Sequence, residues 1–221
     1  MSSFIAADVA YRLAGVRERV DSVERTWTHP IEVMAVTKGF SNAAVDAAAA
    51  AGCRSIGENY AQDLLSKKEA IKATGVEVHF IGRLQSNKVR QLVDLVTVWA
   101  TIDRASLIDE VAKRIPGGMI LLQVNATGEE QKGGCLPVDV PALLERAGVM
   151  GLDVRGLMTV GPTGGSPAAT RLAFQTVRGL VDDHGLDVCS MGMSGDLDIA
   201  IECGSTEVRV GSALFGQRPA R

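Results

Sequence analysis

The stretch IEVMAVTKGFSNAAVDAAAAAGCRSIG, residues 31–57, holds one full period of the pattern that decides the fold. An apolar run rich in β-branched residues, IEVMAVT at 31–37, is cut off by Lys38 and Gly39. Helix-like spacing follows over 42–51, and a second apolar run, CRSIG at 53–57, comes after Gly52. A short apolar run bounded by such punctuation reads as a buried strand. The same alternation recurs along the chain, with runs VEVHFIG at 76–82, LVTVWATI at 95–102, GMILLQVNA at 118–126, DVRGLMTVG at 153–161, DVCSMG at 187–192 and EVRVGSAL at 207–214. Between them, helical spacing is expected over 60–74, 86–93, 104–114, 137–148, 167–184 and 197–203.

Strands that alternate with helices imply a parallel sheet, because a parallel pair needs a crossover that a helix usually supplies. Eight such units predict an α/β fold, a single (β/α)8 TIM barrel with an extra N-terminal helix over 3–26, whose Val9, Leu13, Val16 and Val20 recur at helical spacing. An open doubly wound sheet is the alternative, but its G-x-G-x-x-G turn after the first strand is absent. The 221 residues contain no long Pro/Gly/Ser linker, and GPTGGSP at 161–167 reads as one loop, so residues 1–221 are expected to form a single domain.

Lys plus Arg is 23 and Asp plus Glu is 26, a net charge of −3, and no basic run exceeds two residues. Nucleic acid and anionic membranes, which need a concentrated basic footprint, are set aside as partners. Apolar stretches such as 119–122 and 93–100 fall short of the roughly 20 residues of a spanning helix. The opening MSSFIAADVAYRLAGVRERV has no basic region followed by an apolar run, so a cytoplasmic protein is expected. Cys53, Cys135, Cys189 and Cys203 form no C-x-x-C pair, and His29, His79 and His184 lie apart from one another, which argues against disulfide staples and structural zinc. No G-x-S-x-G elbow is present.

Active sites in such barrels lie at the C-terminal ends of the strands. Lys38 ends the first run, where a low dielectric would favour a neutral amine able to form a Schiff base. Read alone, it is more simply a lysine that has reached a solvated strand end. Gly211 and Ser212 follow the last run and, with the helical turn after them, offer a phosphate its N–H groups and hydroxyl; a plain turn would look the same. Arg209 alternates with Val208 and Val210, and an inward cation there needs an acceptor such as the ring nitrogen of a heterocycle. In CSMGMSGD, 189–196, Ser190 and Met191 with Gly192 suggest a second phosphate wall, although methionines more often pack. Asn59, in GENY, could bond a ring oxygen, and His79 reads as a core histidine.

Together these features describe a site for pyridoxal 5′-phosphate (PLP). The stretches AVTKGF, IGENYAQDLLSK, HFIGRLQSNK, GLMTVGP and SMGMSGDLDIAIECGSTEVRVGSALFG resemble the YggS/PROSC family, PLP-binding proteins related to the barrel domain of alanine racemase. The resemblance spans about residues 5–217. It implies a fold-type III barrel with PLP linked to Lys38, ring contacts from Asn59 and Met158, Arg209 facing the pyridine nitrogen, and phosphate contacts from Ser190, Met191, Gly211 and Ser212. Arginine beside that nitrogen leaves it unprotonated and weakens the ring as an electron sink. Thr37 stands where the family often has Ser, and Ser212 where it often has Thr; both keep the hydroxyl.

The resemblance further implies a non-catalytic carrier that buffers PLP, supports vitamin B6 and amino-acid homeostasis, and passes the cofactor to PLP-dependent apoenzymes. A monomer suits that task. The alternative is a racemase of low activity, since neither Tyr11 nor Tyr60 matches the second acid/base group of alanine racemases, which comes from an appended domain. A barrel aldolase using Lys38 on a sugar phosphate is a third reading. Lys67, Lys68 and Lys88 are candidate secondary PLP acceptors, with solvated helix faces the expected setting. The terminal QRPAR, 217–221, is expected to fray.

Overall fold

The structure, a computed structural model, describes residues 6–217. Eight parallel strands close into a barrel in sequence order: β1 Glu32–Val36, β2 Ser55–Glu58, β3 Glu77–Phe80, β4 Val98–Ile102, β5 Met119–Gln123, β6 Asp153–Met158, β7 Val188–Ser190 and β8 Glu207–Val210. Closure is made by β8 on β1, with Glu32 beside Glu207 and Ala35 beside Val210. Every strand falls within a run that the sequence marks out, except that β2 extends one residue past its run, to Glu58. Around the barrel lie α2 Asn42–Ala50, α3 Ala61–Ser66, α4 Lys68–Thr74, α5 Ser86–Leu92, α6 Ala105–Arg114, α7 Val140–Val149, α8 Pro167–Asp183 and α9 Leu197–Glu202.

The first helix, α1, is Ala6–Ser22, and Val9, Leu13, Val16 and Val20 are its buried stripe. The beginning of the expected 3–26 helix and the residues 218–221 lie outside the described residues. α8 shows why such boundaries fall where they do. Ser166 accepts from the Ala169 N–H at 3.2 Å, and Pro167 opens the first turn, where its missing N–H is not needed. Thr170, Phe174, Val177 and Val181 then recur on the face turned to the barrel.

Several expected boundaries move, among them the end of the first helix, which stops at Ser22 rather than 26. The 207–214 run is not all strand: β8 stops at Val210, and Ser212–Phe215 forms a short helix, α10. The helix expected over 60–74 breaks into α3 and α4 at Lys67, whose φ and ψ of −97° and 4° leave the helical well. All four thiols are free and buried, and burial pushes Cys135 and Cys189 up to about 12.

Strand residues that face outward pack with the helices in one large core. Those that face inward form a smaller cluster of Val98, Ala100, Leu121 and Met158, with Ile81 and Met119 against it. This inner plug separates a mouth, at the C-terminal strand ends, from a base at the N-terminal ends. Among the described residues no helix is long and apolar enough to cross a membrane.

Candidate functional site

Lys38 lies two residues past the end of β1, after Thr37, and is half-buried at the mouth. The loop that carries it is pinned from several sides. Gly39, at φ 74°, donates its N–H to Asp63 Oδ2 of α3 at 3.3 Å, a left-handed conformation that glycine adopts without strain. The Phe40 N–H turns back to Thr37 O at 3.1 Å. Thr37, fully buried, donates its hydroxyl to Glu58 Oε1 at 2.6 Å.

Lys67 completes this support. Its side chain is 1% exposed, and Nζ donates to Thr37 O at 2.7 Å and to Glu58 Oε1 at 2.5 Å. The expectation of a solvated lysine is therefore wrong at this position, whereas Lys68 and Lys88 are partly exposed. The break between α3 and α4 occurs at the residue whose ammonium turns inward. Burial pushes the Glu58 carboxyl above its ordinary range, against the downward pull of Lys67 and Thr37. Spacing carried the missed signal: Lys67 stands three residues after Leu64 and four before Ile71, on the stripe those two bury.

The other expected residues converge on the mouth from neighbouring strands. Asn59 follows β2, and its Oδ1 is buried without a hydrogen-bond partner. Its backbone is pressed by Gly82, where a Cβ would lie 1.8 Å from Asn59 O. Met158 ends β6 within the inner cluster. Arg209, 4% exposed, donates through Nη1 to Ser190 O and Ser190 Oγ, both at 2.8 Å, and through Nη2 to Thr159 O at 2.7 Å. Burial pushes its guanidinium down, and the charge of Glu207, two residues earlier on the same strand, pushes it back up.

On the far side, Gly211 leads into α10, with Ser212 exposed at the helix start. The first N–H groups of any helix have no acceptor within it. A Cβ at Gly211 would stand 3.3 Å from Val36 O, so the turn is built for a residue without a side chain. Met191 differs in setting from Gly211: its N–H donates to Glu207 O at 3.1 Å, and its sulfur is packed in the core beside Cys189. A separate cavity of about 780 Å³, which sequence reading did not single out, opens over β3, β4 and β5 between Arg83, Asp103, Asn125 and Gly134.

The sequence model described as the N-terminal domain of alanine racemase matches residues 12–219. A pyridoxal phosphate homeostasis protein of Pseudomonas aeruginosa is 40% identical over 98% of this chain and 96% of its own. The chain belongs to the pyridoxal phosphate homeostasis family. A solved structure with PLP bound, that of PipY, a COG0325 family member of Synechococcus elongatus, is 31% identical and superposes with a TM-score of 0.80 over 94% of this chain and 100% of that one. Alanine racemase of Clostridium difficile shares the barrel fold, with a TM-score of 0.75 at 11% identity, and this chain covers 58% of its length. The homeostasis family and the racemases thus share one scaffold, and function must be argued from the site.

Proposed function

We propose that this chain binds PLP at the barrel mouth through a Schiff base to Lys38, and that it is a non-catalytic carrier. The observation that carries this reading is the setting of Lys38, a half-buried amine on a loop that Asp63, Thr37 and the buried Lys67 hold in place. The relatives named for pyridoxal phosphate homeostasis, and PipY with PLP bound, support it.

The residues fit the group. Asn59 would bring an unpartnered amide oxygen to the ring's edge, Met158 an apolar surface, and Arg209 a guanidinium already fixed by Ser190 and Thr159. Gly211 and Ser212 would meet the phosphate with backbone N–H groups and a hydroxyl, with Ser190 and Met191 forming the facing wall. When bound, PLP supplies an aldehyde that captures a lysine amine and a ring that can delocalise electrons from an attached carbon. Arg209, charged and hydrogen-bonded, gives the ring nitrogen a donor and no proton, which limits that delocalisation. Of the two tyrosines, Tyr11 lies 82% exposed on α1, and Tyr60 starts α3 at the rim. The carrier acts as a cytoplasmic monomer that releases PLP to apoenzymes.

The absorption spectrum of the purified chain with added PLP tests this. A yellow band in the wild type that Lys38→Ala lacks is expected, while a colourless wild type would overturn the proposal. Both enantiomers of alanine appearing from one pure enantiomer at an enzyme's rate would favour the racemase reading instead.

A further inference from the structure

At the end of the barrel away from Lys38, the residues that open β1, β2, β3 and β8 line a cavity of about 420 Å³. Three buried side chains there hold polar atoms with no hydrogen-bond partner: Ser55 Oγ, His79 Nδ1 and Glu207 Oε1. Their residues are 2%, 8% and 5% exposed. Native proteins leave few such groups unpaired, and three around one cavity call for a common cause.

The charges around the cavity set the sign of what would satisfy them. Glu32 and Glu207 are register partners on β1 and β8, so two carboxylates lie side by side. Burial first, and then Glu207, pushes the Glu32 carboxyl up. The guanidiniums at the rim are engaged with other carboxylates: Arg54 lies 3.4 Å from Glu77, and Arg155 lies 3.6 Å from Asp153 and 3.8 Å from Asp187. His79 Nδ1 stands 3.3 Å from Glu207 Oε2 without hydrogen-bond alignment. The remaining wall is apolar, formed by Val98, Leu121 and Val188.

We propose that this cavity binds a small organic ammonium ion with a short apolar body, its N–H groups donated to Glu207 Oε1 and Ser55 Oγ and its carbons laid on Val98, Leu121 and Val188. An anion would meet Glu32 and Glu207, and an uncharged hydrocarbon would leave all three polar atoms unsatisfied. Among the described residues no cluster is arranged to hold a metal ion. The site is independent of the PLP reading, because the inner plug of Val98, Ala100, Leu121 and Met158 lies between it and the mouth.

The probe is N-methylbutylamine, a secondary amine that is protonated at neutral pH, carries two N–H groups in that form and cannot form a neutral Schiff base, titrated calorimetrically into the full chain. Saturable one-to-one binding is expected, with no binding of butanoate, which has the same chain length and the opposite charge. Glu207→Gln should weaken the amine by about tenfold or more, since it removes a charge-assisted hydrogen bond. Asp103→Asn, in the mouth cavity, should leave the affinity unchanged. Should Glu207→Gln fail to fold by circular dichroism, Ser55→Val removes the hydroxyl and fills space without changing charge, and should weaken binding as well. Absence of saturable binding, equal binding of butanoate, affinity that survives in the folded base variants, or loss of binding in Asp103→Asn would each overturn the proposal.

Discussion

At the mouth of the barrel, Glu58 is fully buried with a lysine nitrogen 2.5 Å away; at the base, Glu207 is nearly as enclosed, with only an imidazole 3.3 Å away and Glu32 alongside. Each carboxylate has a buried oxygen without a hydrogen-bond partner, but Glu58 Oε1 accepts from Thr37 and Lys67, so the difference lies in the groups around the carboxylate. Glu58 is neutralised from within the chain, by a lysine that also grips the carbonyl of Thr37 and so fixes the loop bearing Lys38. Glu207 is set beside a like charge and has no lysine or arginine paired with it; Arg54, acting on Glu32, and Arg209 offset the two carboxylates only without direct contact. Desolvated charge at the mouth is thus used for positioning, and charge at the base remains available to something from outside.

Removing the lysine should break this contrast most strongly. Lys67→Met leaves Glu58 buried without its cation and should cost about 3 kcal/mol or more in denaturant unfolding at neutral pH. Burial raises the Glu58 carboxyl already, and without Lys67 the folded state favours the protonated form still more. The raised folded value means that stability is lost as pH rises through it, so the variant's deficit should shrink as the pH is lowered from about 8 toward 5. The double variant Glu58→Gln/Lys67→Met should recover much of the loss, because no uncompensated charge remains; an additive double variant would refute the pairing.

At the base the sign reverses. Glu32→Gln removes a like charge from beside Glu207 and should stabilise the chain by roughly 0.5 kcal/mol at neutral pH, a small effect because Glu32 is only half-buried and solvent screens it. Glu32 is also raised, by burial and Glu207, so the wild type loses stability as pH rises through its folded value and the variant's advantage should vanish in acid. Unfolding curves at two pH values decide this. The smallest effect is expected next door to the largest: Lys68→Ala, at a partly exposed lysine, should change stability by no more than about 0.5 kcal/mol, and a loss as large as that of Lys67→Met would erase the distinction between the two.

The barrel was legible because each strand is a short apolar run, and a parallel barrel buries its strands on both faces. Its mouth was legible in outline, since position after a strand end is all that is needed to bring Lys38, Asn59 and Ser212 to one side. The buried lysine was not, because residue type outweighed spacing: Lys67 lies on the stripe of Leu64 and Ile71, and only the inward partner Glu58, at the end of β2, makes its burial tolerable. The strand forecast over 207–214 ran too far because the same apolar letters, Ala213 and Leu214, serve a helical turn after Gly211. The base cavity was invisible, for it depends on which residues open strands that are distant in sequence.

The most direct test of the account is to incubate the chain with PLP, reduce it with borohydride, digest it and locate the modified peptide by mass spectrometry. Label on Lys38, with Lys67 unmodified in its buried pair with Glu58, is the predicted result. Label confined to Lys67, Lys68 or Lys88, or no label at all, would contradict it.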